Sequence, residues 1–94
     1  MTIQIQSMEY NMKPVIKQLW EESEKGWGIR PDGYSLHLTT TDRDEYIKDY
    51  WDSMQKTPAT PSIYSRPSGK GTIIDVDDVE YEQIKKTKNG LRVW

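Results

Sequence analysis

The only histidine of the chain, His37, lies between Leu36 and Leu38 in an alternating segment. Imidazole is the side chain best suited to proton transfer near neutral pH. To act chemically it needs a nucleophile to activate or co-ligands for a metal. The sequence has no cysteine, so a zinc site would have to be built from carboxylates. The alternation places His37 on the polar side of a strand, and a surface histidine is expected. Asp75, Asp77 and Asp78 form the second group, directly after a β-branched run. Such carboxylates could hold a divalent ion beside a phosphate, but a calcium loop needs further oxygen ligands and a turn glycine. Helix capping accounts for one of the three and solvation for the others. No catalytic residue, metal or cofactor is expected.

Two further motifs fail on context. Gly69-Lys70-Gly71 lacks the full glycine frame, the Ser/Thr and the following helix of a phosphate-binding loop. Thr57-Pro58-Ala59-Thr60-Pro61 has two prolines at PxxP spacing, which reads as a loop constraint.

Charged surfaces are better organised. Asp42, Glu45, Asp49 and Asp52 follow one another at spacings of 3, 4 and 3. At about 100° per residue these fall in one arc of a helix. The arc lies opposite Ile47, Tyr50, Trp51 and Met54, and forms an acidic ridge suited to a protein partner with a basic surface. Lys85, Lys86, Lys88 and Arg92, with Trp94, make the one basic cluster. They could contact phosphates and stack on a base, although lysines in a last helical turn also suit the helix dipole. Nucleic acid is therefore the alternative partner.

At 94 residues the chain has room for one core, and residues 1–94 are expected to form a single domain. Thirteen basic and fifteen acidic side chains give a net charge of -2, against a non-specific nucleic-acid binder. Residues 1–54 carry six basic and ten acidic groups; residues 55–94 carry seven and five. Uninterrupted apolar stretches are no longer than pairs such as Val15-Ile16, far below the roughly 20 residues of a membrane span. No basic segment followed by an apolar one marks a signal peptide, so a cytoplasmic location is expected. Phe is absent, and four Trp and six Tyr must supply the aromatic packing. Their N–H and O–H groups require partners when buried.

The elements that would position these groups follow from periodicity. Residues 2–7 alternate and predict a strand with one solvated face. Asn11 is placed to cap a helix through Val15, Ile16, Leu19 and Trp20, with Pro14 in its first turn and Gly26 as its stop. Arg30-Pro31-Asp32-Gly33 predicts a turn. Tyr34–Thr39 predicts a strand, and Thr41 or Asp42 a cap, with Asp42 and Glu45 spaced as a capping box. Residues 55–71 read as a long loop held by prolines and glycines. Thr72–Val76 predicts a strand, Asp77 or Asp78 the cap of a short helix, Asn89-Gly90 a turn and Leu91–Trp94 a last strand.

The order is β-α-β-α-loop-β-α-β, a small α+β or α/β domain with helices packed on one face of a three- or four-stranded sheet. Leu19, Trp20, Ile47, Trp51 and Ile84 are its expected core. In size and acidic, aromatic-rich character the chain is similar to small accessory proteins of phages and mobile elements, many of which inhibit or redirect a host protein. That likeness covers no motif. The expected function is a non-enzymatic protein-binding module, an inhibitor or regulator, with a homodimer as a further possibility where a sheet edge is open. A small enzyme ranks third.

Overall fold

The computed structural model describes residues 12–24, 28–55 and 63–94. The expected strand at 2–7, the cap at Asn11, and Gly26 lie outside them. The described elements are β1 (Lys13–Glu24), β2 (Gly28–His37), α1 (Thr40–Gln55), β3 (Ile63–Val76), α2 (Asp78–Lys85) and β4 (Leu91–Val93). The strands form one antiparallel sheet in the order β3-β1-β2-β4, and both helices pack against it. This is a single small α+β domain, as the sequence pattern implies.

The largest correction is β1, where a helix is expected. Val15, Ile16, Leu19 and Trp20 satisfy a helical stripe, yet two of them are β-branched and Pro14 disfavours helix beyond a first turn. The tertiary setting decides the matter. Paired with β2 on one side and β3 on the other, β1 satisfies its backbone groups along both edges and becomes an inner strand of the sheet. Its burial follows from that exchange of period. Val15 and Trp20 are buried, whereas Leu19 is 51% exposed and leaves the expected core.

Two further expectations change for related reasons. Arg30–Gly33 lies inside β2, where a turn is expected. Leu19 pairs with Tyr34 and Glu21 with Pro31, so β2 carries one extra residue opposite Trp20, a β-bulge. Gly33 adopts φ 73° in this bulge, and a Cβ there would stand 2.1 Å from the Val93 carbonyl oxygen. Only glycine suits the position. β4 pairs with Tyr34–Leu36, so among the described residues β2 has an unpaired edge at Pro31, where proline is tolerated. The expected loop at 55–71 is β3 from residue 63 onward, with residues 56–62 outside the described set. Pro67 fits because β3 is an edge strand. Between Lys17 and Leu19 β3 also bulges, and the buried Gln18 amide donates into it, to the carbonyls of Ser68 at 3.2 Å and Gly69 at 3.1 Å.

Local signals at the helix starts are stronger guides. Asp77 caps α2, accepting a hydrogen bond from the Glu80 N–H at 2.8 Å. For α1 the cap moves back from the expected Thr41 or Asp42 to Thr39, whose Oγ1 accepts from the Asp42 N–H at 3.0 Å. The apolar core is Val15, Leu36, Val76 and Ile84, with Tyr34, Leu38, Ile74, Tyr81 and Leu91 packed around it. Trp20 and Ile84 are core residues as expected; Ile47 and Trp51 are half-buried. Ser35, Leu36 and His37 are consecutive strand residues and all have 0% exposure. Successive side chains point to opposite sides of a sheet, so both sides are covered at this point. The α2 residues Ile84 and Tyr81 meet Leu36, and the α1 residue Tyr46 meets His37.

Candidate functional site

The side of the sheet under α1 holds a continuous polar chain. Trp20 Nε1–H donates to Ser35 Oγ at 2.7 Å, Ser35 Oγ lies 2.7 Å from His37 Nε2, and His37 Nδ1 lies 2.6 Å from the Asn89 carbonyl oxygen. A carbonyl only accepts, so Nδ1 carries the hydrogen. Nε2 of the neutral ring then accepts from the Ser35 hydroxyl. With the imidazole uncharged every donor of the chain, the Ser35 hydroxyl included, has an acceptor. His37 is therefore an interior residue, and the surface position expected for it is corrected. Packing removes water from around the ring, and this desolvation holds its pKa below the ordinary histidine value.

The ring is held on every side. Tyr46 meets it edge-on at 5.1 Å between centroids. A Cβ on Gly90 would fall 2.3 Å from Nδ1, so the chain passes the ring at a distance open only to glycine. Tyr46 and Tyr50 also meet Trp20 edge-on, at 6.0 and 5.0 Å. Ser35 and His37 have the separation of a nucleophile and base. Both are wholly buried, however, and the hydroxyl already lies between the indole and the imidazole.

A second polar group adjoins Trp20. Arg92 Nη2 donates to the Asp32 backbone oxygen at 2.7 Å and to its Oδ2 at 3.1 Å. Ser65 Oγ donates to the same carboxylate, and Tyr50 Oη donates to the Ser65 carbonyl. The guanidinium lies over the Trp20 ring at 4.4 Å and the Trp94 ring at 3.9 Å. Arg92 is thus turned inward, its side chain 11% exposed. The basic cluster is dispersed accordingly. Lys85 is 3.7 Å from Glu82, Lys86 is exposed at the end of α2, and Lys88 borders a groove with Tyr46, Asp49, Tyr50 and Ser53. Arg92 and Trp94 remain together, with Trp94 80% exposed.

The acidic ridge lies on α1. Tyr46 and Tyr50 turn toward the sheet, while Glu45 and Asp49 are exposed and make no ion pair among the described residues. Asp52 bonds Lys48 at 2.8 Å, and Asp42 lies in the first turn. Five acidic residues (Asp42, Asp44, Glu45, Asp49 and Asp52) against two basic ones (Arg43 and Lys48) give this helix a local net of -3. Of the aspartates after β3, Asp75 is exposed, Asp77 is the cap and Asp78 lies 3.2 Å from Lys13. No group of three or more His, Cys, Asp or Glu residues that could hold a metal ion is found among the described residues. No described helix is long and apolar enough to cross a membrane.

The polar chain is the feature that the sequence reading misses. Ser35 and His37 are two residues apart, which in a strand places them on the same side, and that spacing was the available signal. Neither Trp20 nor Asn89 could be joined to them without the sheet register. Family models, curated proteins and solved structures yield no match to this chain.

Proposed function

We propose that the chain is a small non-enzymatic binding domain that presents the outer face of α1 to a protein with a basic surface, and acts as an inhibitor or regulator of that protein. The observation that carries this reading is the state of Glu45 and Asp49. They are exposed, they make no ion pair among the described residues, and they flank residues whose aromatic side chains fix the helix to the sheet. Exposed carboxylates outside any ion pair contribute little to folding. They do favour encounter with an oppositely charged surface. The alternative, nucleic-acid binding through Lys85, Lys86, Lys88, Arg92 and Trp94, is weakened by the inward ion pair of Arg92 with Asp32.

The test is capture from a native lysate with three baits: the wild type, the double reversal E45K/D49K, and K85A/K86A. A protein retained by the wild type and K85A/K86A but lost from E45K/D49K supports the reading. Equal capture by all three contradicts it. Loss of bound oligonucleotide from K85A/K86A would favour the alternative.

A further inference from the structure

We propose that His37 is the trigger of an acid-operated latch, which frees the segment Lys88–Val93 from the sheet when the imidazole takes a second proton. The closed chain from Trp20 to Asn89 has one hydrogen at each link. Protonated Nε2 would point a hydrogen at a Ser35 hydroxyl whose own hydrogen is directed back at it. The serine must then turn its hydrogen away while its oxygen also accepts from the Trp20 indole. Among the described residues no carboxylate lies within hydrogen-bond distance of the new charge, and burial disfavours it.

The groups around the ring do not relieve that strain. From α1, Arg43 opposes the charge and Asp42 favours it, and desolvation outweighs both. Tyr46 of α1 presents a ring, β2 offers Ser35, β1 offers Trp20 through Ser35, and the chain before β4 offers the Asn89 carbonyl. Hydrating the imidazolium requires one cover to lift. The cover over Tyr46 is the 16-residue α1, anchored at Trp20 through two tyrosines. The other is irregular chain at 86–90 followed by a three-residue edge strand, which is the weaker closure. Its release would carry Arg92 away from Trp20, uncovering that indole and breaking the Arg92–Asp32 ion pair while Ser65 keeps its bond to the Asp32 carboxylate.

Amide hydrogen exchange of the full chain from pH 7.5 to 5, read as protection factors by NMR, tests the latch. Below the ordinary histidine pKa, about 6.5, protection at Gly90–Val93 should fall by up to about tenfold per pH unit. Val15 and Leu36 should stay more strongly protected throughout. Protection at Gly90–Val93 that ignores pH would overturn the proposal. So would its collapse to one common value with Val15 and Leu36, because opening would then be global. In H37Q the pH dependence at Gly90–Val93 should vanish, and its persistence would equally refute the trigger. Should H37Q fail to fold, the wild-type profile decides alone.

Discussion

The two faces of α1 differ in what holds their side chains. On the inner face Tyr46 and Tyr50 meet Trp20, and Tyr46 meets His37. Each polar atom of the Trp20–Ser35–His37 chain has a partner. On the outer face Glu45 and Asp49 are exposed and unpaired among the described residues. A buried polar group without its bond costs stability, while a solvated carboxylate can be reversed at little cost. The inner face accordingly specifies the fold, and the outer face is the one proposed for binding.

The comparison breaks most visibly at Trp20. Trp20→Ala removes a large buried side chain along with three ring contacts and a hydrogen bond. Chemical denaturation should show a loss of about 3–5 kcal/mol. An equilibrium midpoint close to that of the wild type would contradict the packing described.

Ser35→Ala comes next. It leaves the Trp20 indole N–H and His37 Nε2 buried without their shared partner. A loss of about 1–3 kcal/mol is expected in the same assay. Ser35→Thr, which keeps the hydroxyl but adds a methyl to a fully buried site, separates the bond from the space around it.

Acid sharpens the contrast further. The folded state holds His37 below its ordinary pKa, so the unfolded chain takes up the proton first as pH falls. Stability is then complete above about pH 6.5 and is lost as pH drops through the folded-state value. Arg66 lowers the Glu21 pKa by hydrogen bonding, with the ion pair at 2.6 Å, so the stability that carboxylate contributes is intact above about pH 4.3 and is lost only in a more acidic window. Denaturation curves at pH 7.5, 6.5 and 5.5 should therefore show falling stability in the wild type. H37Q should show a flatter profile over that range.

Leu19→Ala belongs at the small end. Had the helix expected over residues 12–25 formed, this change would have cost several kcal/mol. With Leu19 half-exposed on β1, a loss below about 1 kcal/mol is expected.

Leu19 also shows where the sequence is legible and where it is not. Short-range signals carry through: Asp77 caps its helix, Asn89-Gly90 turns the chain with Asn89 at φ 70°, and 40–55 is helical. These depend on neighbouring residues. Val15, Ile16, Leu19 and Trp20 fit the helical period, and the strand they form instead is decided by pairing with β2 and with β3, the latter distant in sequence. The two bulges had the same effect. Pro31 and Pro67 read as loop residues until the edges that tolerate them are known. For the candidate site, the acidic spacing was visible because a helix repeats locally. The partners of His37 lie on β1 and before β4, beyond the reach of spacing alone.

The outer face of α1 is proposed to serve binding and to be dispensable for folding. The most direct test is the association rate of the captured partner with folded wild type and E45K/D49K, measured across a range of salt concentrations. The wild-type rate should fall as salt rises. The reversed protein should associate more slowly at low salt, with a weaker salt dependence. Equal rates for the two proteins at low salt would contradict it.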